Sequence, residues 1–182
     1  SSYSNAYSVS FDGSDDYIDL GSSNVYANTA SAFSISVWFK FNTLTNYPGL
    51  VQLKTNRSNS FILGTSDQST YKGVWFGSND ANGFKGFSTN NSTLLTTLST
   101  GWHNVVFTYD GVDSRSSSSF AVYVDGSAVT CNTAVGVGSY NNINKIAVDT
   151  PGFFLVDGLI DEVAIFNSEL SSSNVSDIYN SG

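Results

Sequence analysis

The chain has 182 residues, a formal charge of −8, 14% aromatic residues and only 12% charged ones. Such aromatic content at low charge excludes an intrinsically disordered chain, and the length suits one domain with a substantial core. An acidic, Lys/Arg-poor surface repels phosphate backbones and anionic membranes, which argues against nucleic-acid partners. No apolar run is long enough for membrane insertion as a helix.

In chain order, Tyr7–Gly13 reads as a strand ending at Asp12. Asp12-Gly-Ser-Asp-Asp16 is a turn crowded with side-chain oxygens, and Tyr17–Leu20 returns as a short strand. Ser22–Ala32 reads as polar loop. Phe33–Phe41 has the clearest period of two: Phe33, Ile35, Val37, Phe39 and Phe41 alternate with Ser34, Ser36, Trp38 and Lys40. Thr43–Gly49 is loop, and Gly49–Leu53, Ser60–Leu63 and Gly73–Phe76 are three short strands. Asn79–Gly86 reads as loop and Phe87–Leu98 as an irregular pair of edges. Trp102–Tyr109 and Phe120–Val124 are strong strands, each running into Asp-Gly and joined by the Ser-rich Ser114–Ser119. Ala128–Thr130, Ile143–Val148 and Phe153–Val156 follow as strands.

Gly158–Asn167, with apolar Ile160, Val163, Ile165 and Phe166, reads as a buried strand near the end of the chain. Ser171–Tyr179 then gives one or two helical turns, with Ser171 as N-cap and Val175, Ile178 and Tyr179 on one side. About a dozen short strands and one short C-terminal helix predict an all-β fold. The expected architecture is an antiparallel two-sheet jelly-roll sandwich, a single domain over residues 1–182 and a module of a longer chain. A first strand lying beside the last one closes such a sandwich.

Asp161 stands inside that last strand, and a charge held against a core is costly unless neutralised. If the first strand lies alongside, Asp12 and the Gly13 carbonyl join Asp161 as oxygen ligands, the donor set a calcium ion takes. Asp15 and Asp16 are weaker candidates. The opposing reading has Asp161 accepting a turn amide and the Asp12–Asp16 cluster simply solvated. No His/Cys spacing suits zinc.

Several segments together resemble a known family: Phe11-Asp-Gly-Ser-Asp-Asp-Tyr17, Phe33-Ser-Ile-Ser-Val-Trp-Phe39, Trp102-His-Asn-Val-Val-Phe-Thr-Tyr-Asp-Gly111, Val122-Tyr-Val-Asp-Gly126 and Gly158-Leu-Ile-Asp-Glu-Val-Ala-Ile-Phe166, closed by Leu170-Ser-Ser-Ser-Asn-Val-Ser-Asp-Ile-Tyr179. In this order they look like a laminin-G-like domain of the concanavalin-A-like lectin/glucanase superfamily. The resemblance implies a jelly roll, a structural calcium at the terminal strand junction, and core positions for Trp38 and Trp102. It leaves function open, because the fold hosts lectins, adhesion modules, pentraxins and glycosidases. The Asp-Gly-Ser-Asp-Asp-Tyr-Ile opening also resembles domains of marine bacterial surface proteins and phage structural proteins.

Hydrolysis by such a fold needs two carboxyl groups flanking the bond. The glucanase strand that the resemblance would supply, Glu-x-Asp-x-(x)-Glu, is missing, and Glu162 and Glu169 are the only glutamates. Cys131 and His103 are the sole residues of their types, so no intrachain disulfide exists, and Gly-x-Ser-x-Gly is absent. Both read as structural.

Sugars stack on aromatic faces while amides and carboxylates bind their hydroxyls. That pattern nominates Trp75, with Asn79 and Asp80, as a platform, and the Tyr47 and Tyr71 loops as further candidates; core packing is the competing role of Trp75 and the one its strand position favours. The expected function is a non-catalytic, calcium-stabilised recognition module on a cell surface, virion surface or in the extracellular medium, binding a glycan. The alternative partner is a cell-surface or virion protein, contacted by an attachment or decoration domain with no small ligand. A divergent polysaccharide-degrading glycosidase is the third reading.

Overall fold

The computed structural model describes residues 7–20, 25–26, 31–44, 48–52, 60–67, 72–80, 83–112, 117–131, 142–143, 145–146 and 155–181. The strands are β1 (Val9–Asp12), β2 (Ile18–Asp19), β3 (Val25–Tyr26), β4 (Phe33–Thr43), β5 (Gly49–Gln52), β6 (Ser60–Ser66), β7 (Gly73–Asp80), β8 (Gly83–Ser88), β9 (His103–Tyr109), β10 (Phe120–Val124), β11 (Ser127–Val129), β12 (Asn142–Ile143), β13 (Lys145–Ile146) and β14 (Asp157–Phe166). Two helices, α1 (Ser92–Leu98) and α2 (Ser172–Ser181), complete the order.

Among the described residues these strands form two six-stranded sheets, β1-β14-β4-β9-β10-β11 and β2-β13-β5-β6-β7-β8, with β12 and β3 as a separate pair. The pairings are antiparallel, giving the expected jelly-roll sandwich. Alternation along β4 explains the core. Phe33, Ile35, Val37, Phe39 and Phe41 turn inward, and facing residues of the second sheet such as Val51, Leu63, Phe76 and Phe87 meet them in one apolar cluster. Phe76 packs on Phe107 at 4.7 Å between ring centroids, tying one sheet to the other.

The opposite face of β4 is covered as well. Ser34, Ser36 and Trp38 are buried, because the C-terminal segment returns across them. Ser34 Oγ donates to the Ser168 carbonyl at 2.9 Å and accepts the Leu170 N–H at 3.0 Å. Trp38 stacks on Tyr179 of α2 with centroids 5.6 Å apart and planes 12° from parallel. α2 starts where its cap predicts. Ser171 Oγ accepts the Asn174 N–H at 3.3 Å, while Asn174 Oδ1 accepts the Ser171 N–H at 3.1 Å, a reciprocal capping pair. Val175 is fully buried beneath the helix.

Three local readings need correction. Phe87–Leu98 is not a pair of irregular edges: β8 ends at Ser88 and α1 follows. Asn91 Oδ1 caps that helix by accepting the Thr93 and Leu94 N–H groups, both at 3.0 Å, and Leu98 is buried. The cap and the apolar anchor outweigh the poor helix propensity of its threonines. Asn79–Gly86 is likewise not a loop, since β7 and β8 pair through Asp80↔Gly83. Finally, β3 lies within the stretch read as polar loop over Ser22–Ala32.

Candidate functional site

The first and last strands are indeed neighbours. β1 pairs with β14, but the register sets Asp12 opposite Asp157 and Val9 opposite Ile160. Asp161 pairs on its other side with Trp38 of β4. Four strand residues, about 13 Å, therefore separate the levels of Asp12 and Asp161. The expectation that Asp161 shares an ion with Asp12 and Gly13 is thus incorrect. Asp161 Oδ1 instead accepts the Glu162 N–H at 2.8 Å, which is the turn-amide alternative.

The carboxylates that do gather are Asp12, Asp15 and Asp16. Each offers one oxygen, and these oxygens all lie within 4.8 Å of one another. The turn between β1 and β2 builds the arrangement. Asp12 Oδ1 accepts the Ser14 N–H at 2.8 Å, and Asp16 Oδ2 accepts the Asp12 N–H at 3.1 Å. Gly13 sits in the left-handed region at φ +75°, and a Cβ there would lie 3.0 Å from the Asp157 Cβ. Asp157 is itself held by Asn42, whose Nδ2 donates to its Oδ1 at 3.0 Å. Oxygens of one calcium shell lie 2.3–2.6 Å from the metal, hence at most about 5 Å apart, so this donor set fits a hard cation. All three carboxylates are exposed, and water can also solvate them without cost. Tyr17, 41% exposed, follows directly. The strand pattern favours Asp161 over Asp15 and Asp16 and gives Tyr17 no role; the Asp-Gly-Ser-Asp-Asp spacing carries the signal for the turn.

Trp75 does not form an open platform and takes its competing role instead. Only 4% of it is exposed, and its Nε1 donates to the Thr65 carbonyl at 2.7 Å. It faces away from Val74 and Phe76, which enter the core cluster, with Gly64 and Ser88 opposite it on the flanking strands. A Cβ on Gly64 would meet the indole at 3.1 Å and the Pro48 carbonyl oxygen at 2.5 Å. The ring therefore occupies the space that a side chain at Gly64 would need. Asn79 and Asp80 lie at the far end of β7, opposite Phe84 and Gly83. Tyr47 and Tyr71 are outside the described residues. Trp38 is buried as expected, whereas Trp102 is only half-buried.

The lone histidine and cysteine are both packed into the fold. His103 is buried with Nδ1 2.8 Å from Asp125 Oδ2 and Nε2 2.6 Å from the Thr100 carbonyl. Burial opposes its charge, but the hydrogen bond to Asp125, the Thr100 carbonyl and the Asp125 charge outweigh it, raising the pKa above 6.5. Two acceptors facing the two ring nitrogens suit the doubly protonated form. Asp125 also accepts the Asn104 N–H at 3.0 Å through Oδ1. It opens a two-residue turn with Gly126, φ +50° and +75°, the geometry that Asp-Gly hairpins favour. Cys131 packs against the core cluster, and desolvation pushes its thiol up to about 11. Such a thiol is a poor nucleophile at neutral pH.

Residues 12–176 match the family described as the Concanavalin A-like lectin/glucanases superfamily. No curated protein matches the chain. Among solved structures, the chain is similar to the CBM40 of the Ruminococcus gnavus IT-sialidase. The TM-score is 0.66 at 11% identity, covering 94% of this chain and 96% of that one. Domain 4 of AbnA, an extracellular arabinanase of Geobacillus stearothermophilus seen with arabinotriose, gives 0.59 at 20% identity, over 85% of this chain and 68% of that one. The binding domain of botulinum neurotoxin DC, in complex with rat synaptotagmin II, gives 0.60 at 17% identity; it covers 91% of this chain, which spans 39% of the toxin chain.

Proposed function

We propose, since the chain belongs to the concanavalin A-like lectin/glucanase superfamily, that it is a non-catalytic glycan-binding module acting outside the cell or on a surface. The observation that carries this reading is the match to CBM40 over nearly the full length of both chains; that module has also been seen with α2,3- and α2,6-sialyllactose. The arabinanase domain with its arabinotriose points the same way. The absence of a glucanase-type glutamate strand supports a binding role over hydrolysis.

On this chain the best-suited position is the Asp12–Tyr17 turn. Asp12, Asp15 and Asp16 would hold calcium, which supplies a fixed positive centre for sugar hydroxyls, and the exposed Tyr17 ring would provide a stacking face. Asn79, Asp80, Tyr47 and Tyr71 are further binding candidates on sequence grounds, whereas the buried Trp75 has no face to offer a sugar. Calorimetry with arabinotriose and the two sialyllactoses, followed by a glycan array, in calcium and in EDTA, tests the reading. Saturable binding weakened by Tyr17→Ala is expected, and a silent array in calcium overturns it. A second reading, recognition of a protein surface, is favoured by the toxin domain seen with synaptotagmin II.

A further inference from the structure

β14 does not alternate regularly. Ile160 pairs with the inward-facing Phe39, and unbroken alternation would send Glu162 into the core. The register instead shifts between Asp161 and Ala164, so that three steps on β14 match two on β4. This β-bulge returns Val163 and Ile165 to the core cluster and frees Glu162 from it. The extra residue takes φ +43°, a left-handed conformation normally left to glycine, and the Asp161 carboxylate holds it by accepting its N–H at 2.8 Å. A strained glutamate where glycine would be easier points to a use for its side chain.

That side chain stands at the lip of a groove of about 540 Å³ between the bulge and α2. Trp38, Ala164, Phe166 and Ile178 give it an apolar lining, while Glu162 and Asp177 line it with carboxylates. Both acidic residues are exposed, and among the described residues neither is held in an ion pair. The volume lies within the range of small-molecule sites.

We propose that this groove binds a small organic cation, an ammonium group carrying a short apolar chain. The carboxylates select against anions and favour the ammonium, and the apolar lining takes the chain; a free metal ion would leave that lining unused. This site is separate from the Asp12–Tyr17 turn, so it stands or falls independently of glycan binding.

Titration of the intact chain with hexyltrimethylammonium, followed by calorimetry and by tryptophan fluorescence, tests the proposal, with hexanoate and hexanol as matched probes. Saturable binding of the cation is expected, weakening as salt rises, with hexanoate not bound. Glu162→Gln and Asp177→Asn should each weaken binding by about tenfold, and Ala164→Leu should block it by filling the groove. Glu162→Gly should lose the same affinity while raising the melting temperature, because glycine accepts the bulge conformation. A raised melting temperature in that variant excludes misfolding as the cause of its lost binding. Absence of saturable cation binding at millimolar concentration, equal affinity for hexanoate, or unchanged binding in both charge variants would overturn the proposal.

Discussion

Asp12 faces Asp157 across the β1–β14 ladder, not Asp161. Two like charges at directly opposed positions repel, and an Asn42 amide on one of them offsets this only in part. The acidic surplus at this end of the sandwich is what gives a cation something to neutralise.

Calcium should therefore raise the melting temperature through this turn. At a hundredfold excess over the dissociation constant, mass action contributes about 2.7 kcal/mol. Asp12→Asn combined with Asp16→Asn should remove the increment. Asp161→Ala should leave it intact while costing about 1 kcal/mol for the lost Glu162 N–H bond. Thermal scans in calcium and in EDTA check both; identical scans for the parent chain would remove the metal from this site.

Trp75→Ala should act on stability. Removing a buried indole hydrogen-bonded to Thr65 costs about 3–5 kcal/mol. Urea denaturation should show the loss. Near-parental stability accompanied by selective loss of glycan binding would contradict the buried position.

His103 should make stability pH-dependent with a definite sign. Its folded pKa lies above the unfolded 6.5, so its contribution is complete below 6.5 and falls away as pH rises through the folded value. Denaturation midpoints of the parent chain should drop across that interval relative to His103→Gln. A midpoint difference that stays flat with pH would exclude the charged pair with Asp125.

Cys131, with its thiol near 11 and half-buried against the core, should react slowly with a thiol reagent at pH 8 and at the rate of an ordinary thiol in urea. Fast labelling of the folded chain would place it on an open surface.

Much of the sandwich is legible because alternation is a local signal. Phe33 to Phe41 declares its inward face without reference to any other segment. What alternation does not carry is whether the second face is covered. Trp38 and Trp75 both sit opposite the core, and what decides their exposure is distant in sequence: Tyr179 for one, the packing around Gly64 for the other. Register escapes for a related reason. The chain places Asp161 in the right strand, but a ladder offset of four residues is set by pairing with β1 and β4. The bulge does leave a trace, a step of three positions instead of two from Ile160 to the next apolar residue, Val163, which a search for simple alternation passes over. α1 is hidden by its threonines, and only Asn91 ahead of the Leu94–Leu98 pattern announces it.

The placement of β14 between β1 and β4 sets the order of events during synthesis. The ribosome delivers β1 and β4 early, yet the strand that joins them is the last of the described strands to emerge. Until then one margin of β4 has no partner and Trp38 has no Tyr179 above it, which leaves apolar surface uncovered until β14 and α2 emerge. Expression yield should consequently respond to temperature and chaperone supply more than the stability of the finished sandwich would suggest.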